Sequence, residues 1–141
     1  MSSNDSAGAD SRAIAERWTR AMTGHDLEAA VGCFAEDYRD EAPARRGEFI
    51  RGNAKVREHF AALLRDIPDL RADLLRAVAD GDTVWMEWRM HGTRRDGTRM
   101  EFVGVNLFGV RDGRFTWGRI YTELVSDAGD IDAQIARMTN G

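Results

Sequence analysis

The chain has 141 residues, of which 43% are hydrophobic and 31% are charged, which is the length and composition of one globular domain with its own core. Its formal net charge of −4 is spread without long blocks of one sign, which argues against nucleic acid or a membrane surface and favours small molecules or proteins as partners. Every basic residue except Lys55 is arginine, and we give this bias no functional weight. With a lone Cys33, no signal-peptide pattern and no apolar run of membrane-spanning length, the sequence predicts a cytoplasmic protein without an internal disulfide.

The first half of the sequence predicts three helices. A polar leader, residues 1–10, is expected to be disordered, and apolar residues at helical spacing over 11–23 predict the first helix. The GHD sequence at 24–26 breaks this pattern, which resumes over 27–34 as a short second helix. After a polar loop with glycine and proline, the same spacing predicts a third helix over 53–66.

The remaining elements are predicted to be strands. A brief strand at 38–41 precedes the third helix, and from Leu70 onward the apolar period changes toward two, with turn signals DGD, RDG and RDG between the runs. This pattern predicts an antiparallel meander of four longer strands, followed by a tail or short helix over 128–141. Three helices before a run of strands are typical of an α+β domain, here over 11–127, with the helices packed on one face of a curved sheet.

One amide interrupts an apolar strand face. In the run RMEFVGVNLFGV, the even positions are apolar except Asn106, so its side chain shares the apolar face unless a bulge intervenes. A buried amide without partners costs about 1 to 3 kcal/mol, so Asn106 must hydrogen-bond protein, water or a ligand. Two interpretations stay open at this point: Asn106 satisfies a neighbouring backbone group across a bulge, or it points into a polar part of a cavity.

The opposite face of the preceding strand carries alternating charge. In TVWMEWRMHGT, the side chains of Glu87, Arg89 and His91 point away from the apolar positions. Cross-strand charge pairing on a solvated or dimer-facing surface explains them better than catalysis or metal binding does. Three scattered histidines without metal-ligand spacing predict no metal site.

The order of the elements, together with the segments FAEDYRDEAP, IRGNAKVREHF and RDGRFTWGRIYTELV, resembles the SnoaL-like and ketosteroid-isomerase-like family of the nuclear transport factor 2-like superfamily. The resemblance covers about residues 11 to 127. It implies a cone-shaped curved antiparallel sheet with the helices on its concave side and a pocket in its mouth. It also implies a homodimer through the outer sheet face, which would suit Trp85, Glu87, Arg89 and Trp117.

The resemblance implies half of a catalytic apparatus. In the isomerases, a phenol on the first helix and a protonated carboxylic acid on a strand form an oxyanion hole, and an aspartate before a proline moves the proton. Here the phenol position falls on Trp18 and the acid position on Asn106, both of which can donate a hydrogen bond. The residue before Pro43 is Ala42, however, and the position at which the cyclases carry their base falls on Ile120. The two substitutes are Asp40, and His59 on the pocket-lining helix; each could instead be an ordinary solvated side chain.

The resemblance therefore leads to a hypothesis with an open alternative. The chain is expected to bind a small, flat, hydrophobic carbonyl compound and, as an enzyme, to transfer a proton without a cofactor in an isomerisation, cyclisation or dehydration. Asn106 and Trp18 would hold the oxygen, and His59 or Asp40 would move the proton. The alternative is a non-catalytic ligand-binding or dimeric assembly domain that lacks the family base. The expected ligand-binding residues are Tyr38, Met86, Trp88, Met90, Phe102, Phe108 and Ile120.

Overall fold

The computed structural model describes residues 3–47, 49–127 and 129–140, with side chains described from residue 7 onward. These residues form helices that pack against one six-stranded sheet, which confirms the α+β class. The helices are α1 (Ser3–Thr23), α2 (Leu27–Gly32), α3 (Asn53–Asp66) and α4 (Ile131–Thr139). The strands are β1 (Phe34–Glu41), β2 (Phe49–Arg51), β3 (Arg71–Asp80), β4 (Thr83–Thr93), β5 (Arg99–Arg111) and β6 (Arg114–Leu124). In this described part of the chain, no helix is long and apolar enough to cross a membrane.

The sheet has the strand order β2-β1-β6-β5-β4-β3 and differs from the predicted antiparallel sheet in one pair. Strands β3 to β6 form the predicted meander, but β1 pairs with β6 in parallel. Short hairpin turns make consecutive strands of the meander antiparallel. Strands β1 and β6 are far apart in the sequence, so no hairpin turn fixes their relative direction. The three residues of β2 pair with the end of β1 inside the segment that the sequence assigned to a loop.

The predicted disordered leader is wrong for residues 3–10, which belong to helix α1. Ser11 is fully buried, and its hydroxyl lies within hydrogen-bond distance of two carbonyl oxygens, that of Ala7 at 2.8 Å and that of Gly81 at 3.1 Å. A side chain at Gly8 would touch Ala79, so small residues let this turn of the helix lie against the β3–β4 hairpin. Residues 1 and 2 lie outside the described part. At the other end, α4 forms within the predicted tail and begins at Asp130, whose carboxylate accepts from the Ala133 N–H.

The two central strands share one buried face, as the alternation predicts. Asn106 lies opposite Met86, and Trp88 lies opposite Gly104, without a register shift along the β4–β5 pair. On the outer face Arg89 pairs with Glu101 and Asp73. This supports cross-strand charge pairing as the explanation of the charged positions.

Gly118 lets the core close around a tyrosine. A methyl group at this position would lie 2.5 Å from the Tyr38 hydroxyl oxygen and 3.0 Å from the Phe108 ring. We therefore expect Gly118→Ala to lower the free energy of unfolding by about 1 to 3 kcal/mol, because the buried neighbours must shift. Urea denaturation measures this, with Gly32→Ala, where a methyl group would contact nothing, as the matched control. Equal stability of the two variants would contradict the packing described here.

Candidate functional site

A cavity of about 530 Å³ lies between α1, α3 and the buried face of the sheet, and its walls are mostly apolar. All four predicted catalytic residues line it: Trp18, Asp40, His59 and Asn106. Five of the predicted ligand-binding residues also line it: Tyr38, Trp88, Met90, Phe108 and Ile120.

Two predicted ligand-binding residues lie elsewhere. Met86 is fully buried in the core, behind the layer of side chains that forms the cavity wall. Phe102 is half-buried and packs against the core without lining the cavity. Neither residue lines the cavity, because alternation assigns a residue to a face but does not say how far along the strand the cavity extends.

The inner end of the cavity is built from aromatic rings. The Trp18 ring lies edge-on to Trp88, with centroids 6.4 Å apart, and to Phe34 and Phe108, each at 6.0 Å. Edge-to-face packing is the favoured arrangement of such rings, and it restricts their rotation. The floor of the cavity is therefore held in one shape by neighbours that belong to α1, β1, β4 and β5.

Three buried polar atoms in these walls lack hydrogen bonds. The indole nitrogens of Trp18 and Trp88 and the Oδ1 atom of Asn106 are buried, and among the described residues none of the three has a partner. Each such atom costs about 1 to 3 kcal/mol when it is left unpaired. The β4–β5 pair has no bulge at Asn106, and Oδ1 has no partner among the described residues. These two observations favour an amide that faces the cavity over an amide that hydrogen-bonds a neighbouring backbone group. The unpaired atoms are thus two N–H donors, which match a ligand oxygen, and one amide oxygen, which accepts from a donor.

Asp40 supplies a carboxylate to the same cavity. Its Oδ2 atom accepts a hydrogen bond of 2.8 Å from the hydroxyl of Tyr38, which is fully buried. Burial raises the pKa of Asp40 above its usual value, although the Tyr38 hydroxyl, the Ile50 backbone and the charge of His59 act in the opposite direction. Burial also raises the pKa of Tyr38, so this phenol stays protonated and serves as a donor. A carboxylate with a raised pKa inside an apolar cavity is suited to accept a proton.

His59 lies at the mouth of the cavity on α3, and its side chain is exposed. Its charge acts on Asp40, so the structure brings together the two residues that the sequence offered as alternative bases. Ala42 and Ile120 also line the cavity, and neither can accept a proton. Along β6, Ile120 faces the cavity while Arg119 pairs with Glu41 on the outer side.

Sequence reasoning missed part of the cavity mouth and one polar role. Arg45 and Lys55 contribute cationic groups near the mouth, and Phe60 contributes to the wall beneath them. The helical spacing of Lys55, His59 and Phe60 is the signal that could have grouped these three residues. Trp88 was expected to be an apolar wall residue, but its unpaired indole N–H makes it a hydrogen-bond donor as well.

In the described ranges, no group of three or more His, Cys, Asp or Glu side chains is placed to hold a metal ion.

A curved six-stranded sheet that carries helices and a cavity on one face is the nuclear transport factor 2-like fold. The model of the SnoaL-like domain family matches residues 15–117, and the chain belongs to this family. No curated protein matches the sequence.

Solved structures with this fold carry several activities in their names. A LEH-like epoxide hydrolase of M. tuberculosis is 20% identical with a TM-score of 0.71, over 95% of this chain and 98% of that one. A proposed ketosteroid isomerase of Kribbella flavida DSM 17836 is 22% identical with a TM-score of 0.67, over 91% of this chain and 88% of that one. A proposed polyketide cyclase of Bacillus cereus ATCC 10987 is 17% identical with a TM-score of 0.68, over 81% of this chain and 74% of that one. At these identities the likeness establishes the fold, and the residues of the site must select the chemistry.

Proposed function

We propose that this chain binds a flat, hydrophobic carbonyl compound in the cavity and transfers a proton next to the carbonyl group without a cofactor. The observation that carries this proposal is the placement of two unpaired indole N–H donors and one carboxylate in the walls of a single apolar cavity. An apolar body fits the aromatic floor, and a carbonyl oxygen supplies the acceptor that the two indole N–H groups lack.

In the proposed reaction, the Asp40 carboxylate removes a proton from the carbon next to the carbonyl group. The bonding electrons move toward the carbonyl oxygen, where the Trp18 and Trp88 N–H groups and the Asn106 amide stabilise the developing negative charge. Tyr38 holds the carboxylate in place, and His59 at the mouth stabilises its charged form. Return of the proton to another carbon completes an isomerisation, and the same enolate serves a cyclisation or a dehydration.

Exchange of α-protons for deuterium tests this proposal without knowledge of the natural substrate. The protein in D₂O would be mixed with a panel of hydrophobic cyclic ketones, including steroid ketones, and the exchange followed by NMR. We expect catalysed exchange for at least one ketone that also quenches the tryptophan fluorescence. If every ketone that binds exchanges at the uncatalysed rate, the catalytic part of the proposal is wrong.

A second candidate function is supported by Ala42 and Ile120, which stand where the sequence resemblance implies the base of the isomerases and that of the cyclases. On this alternative the chain is a ligand-binding domain without turnover. The same oxygen-bearing apolar ligand would bind in the cavity, but replacement of Asp40 or His59 would then change no reaction. The exchange experiment therefore separates the two candidates.

The indole donors give a prediction about binding. Trp88→Phe keeps an aromatic ring in the cavity wall but removes the unpaired N–H group. We expect the affinity for a ketone ligand to fall about three- to tenfold, because one hydrogen bond contributes about 0.5 to 1.5 kcal/mol. Fluorescence titration measures the change, and Trp85→Phe on the outer sheet face is the matched control. Equal losses in both variants would count against a donor role for Trp88.

We further propose a homodimer that forms through the part of the outer sheet face around Val78, Trp85 and Tyr121, with Trp117 outside the interface. The apolar side chains of Val78, Trp85 and Tyr121 are 64%, 51% and 43% exposed on this face, where they form a patch that favours a protein partner. Trp85→Glu should shift the chain from dimer to monomer in light scattering after size exclusion, whereas Ile135→Glu on the exposed face of α4 should not. A wild-type chain that is monomeric at high concentration would refute the proposal.

A further inference from the structure

A cleft on the outer side of the sheet collects arginines around a tryptophan. It lies over β1, β2 and the β5–β6 hairpin, and we call it the arginine cleft. Its members are Arg39, Arg51, Arg111, Arg114 and Trp117. Its volume of about 760 Å³ is within the range of small-molecule sites. The cavity described above opens on the other face of the sheet and shares with the cleft only Tyr38, which is buried between them.

The arginines form two like-charge pairs across neighbouring strands. Arg39 lies directly opposite Arg51 in the β1–β2 pair, and Arg111 lies directly opposite Arg114 at the closed end of the β5–β6 hairpin. Like charges in directly opposed positions destabilise a sheet. Two such pairs around one cleft therefore lower stability unless an anion lies between them.

Three arginines elsewhere on this sheet face are neutralised by carboxylate partners. Arg76 pairs with Glu87 at 3.0 Å, Arg89 pairs with Glu101 and Asp73, and Arg119 pairs with Glu41. By contrast, none of the four cleft arginines makes an ion pair with any carboxylate in the part of the chain that the structure describes.

Two carboxylates also line the cleft, and they leave an excess of positive charge. Asp37 and Asp112 stand among the four arginines. Four cations and two anions leave a net charge of about +2, in a chain whose own net charge is −4. The cleft therefore matches a ligand that carries about two negative charges.

Trp117 supplies an aromatic surface among the four arginine side chains of the cleft. It pairs with Arg39 on one side and with Gly109 on the other. A methyl group at Gly109 would collide with the Trp117 indole, so the ring lies directly over the bare backbone of β5. An indole supported in this way can stack against a flat ligand ring.

We propose that the arginine cleft binds a small aromatic phosphate of the nucleotide class, with its phosphate groups between the arginines and its ring against Trp117. Guanidinium groups match phosphate oxygens in a bidentate geometry, and a stacked indole accepts any flat ring. The site is separate from the cavity, so a ligand there would bind whether or not the chain catalyses proton transfer.

Calorimetry with three probes tests the proposal. ADP carries both the ring and the charge, pyrophosphate only the charge, and adenosine only the ring. We expect ADP to bind at least about tenfold more tightly than pyrophosphate at 50 mM salt, with adenosine weakest, since stacking and charge-assisted bonds both contribute. Equal affinity for ADP and pyrophosphate would overturn the aromatic part of the proposal, and no binding of either would overturn it entirely.

Substitutions then locate the site. Arg39→Gln and Arg114→Gln should each weaken ADP binding by about tenfold, and Trp117→Leu should remove the preference for ADP over pyrophosphate. Arg76→Gln, which removes a paired arginine from the same sheet face, is the control and should change the affinity less than twofold. Thermal unfolding with saturating ADP gives a second readout, since a bound ligand raises the midpoint of wild type but not of the arginine variants. Equal effects of Arg39→Gln and Arg76→Gln would show diffuse attraction to the surface and would refute the cleft.

Discussion

Replacement of Asp40 with asparagine should lower the rate of α-proton exchange by at least about a hundredfold, because general base catalysis contributes about 10² to 10⁴. Asparagine has nearly the same shape and can still accept the hydrogen bond of the Tyr38 hydroxyl, so the affinity for the ketone should change little. NMR exchange rates and fluorescence titration on the same samples separate the two quantities. Asp37→Asn, on the same strand but outside the cavity, is the matched control.

The pH profile distinguishes the two possible bases. If Asp40 is the base, exchange rises with pH through a pKa that burial has raised above the usual carboxyl range near 4. That rising limb should be lost in Asp40→Asn and kept in His59→Ala. If His59 is the base, the limb should instead be lost in His59→Ala and kept in Asp40→Asn. Full activity of Asp40→Asn would remove this residue from the mechanism.

Asp40 also links stability to pH, and the sign follows from the direction of its pKa shift. Because the folded pKa is raised, the folded state binds the proton more tightly than the unfolded chain does. The charged carboxylate therefore lowers stability above the raised pKa, and this penalty disappears as the pH falls below the unfolded value. The free energy of unfolding of Asp40→Asn, relative to that of wild type, should therefore be higher at pH 7 than at pH 3.

Replacement of Asn106 with leucine should raise the stability of the fold and weaken ligand binding in the same protein. The Oδ1 atom is buried and unpaired among the described residues, so its removal relieves about 1 to 3 kcal/mol, part of which the leucine offsets by imperfect packing. The amide is also the group proposed to bind the substrate oxygen, so the affinity for the ketone should fall about tenfold. Urea denaturation and fluorescence titration measure the two effects.

The opposite signs make this substitution informative. A purely structural amide would lose stability on replacement by leucine, and ligand binding would then fall only through unfolding. Asn106→Asp provides the companion variant, since a carboxylic acid is the group that the resemblance places at this position. It should keep ligand binding while its carboxyl is protonated and lose binding as the pH rises and the carboxyl ionises. A stability loss in Asn106→Leu without loss of affinity would exclude the proposed role.

The candidate site was predictable to the extent that it depends on local periodicity. Alternation along β4 and β5 places Asn106 and Trp88 on the buried face, and the β4–β5 register follows from the hairpin turn between them. Helical spacing likewise places His59 at the edge of the apolar face of α3. The limits of the cavity were not predictable in this way, because Met86 and Phe102 belong to the same strands as the lining residues and yet do not line it.

The sequence by itself determined the α+β class, the SnoaL-like resemblance, the buried direction of Asn106 and the absence of a proton acceptor at Ala42 and Ile120. These features depend on residue type and on periods of a few residues, which local physics decides. Only the tertiary structure decided that β1 lies parallel to β6, that two indole N–H groups remain unpaired in one cavity, and that four arginines meet around Trp117. Those features depend on which distant segments pack together, and the arginine bias acquires meaning only when the fold brings Arg39, Arg51, Arg111 and Arg114 to one cleft.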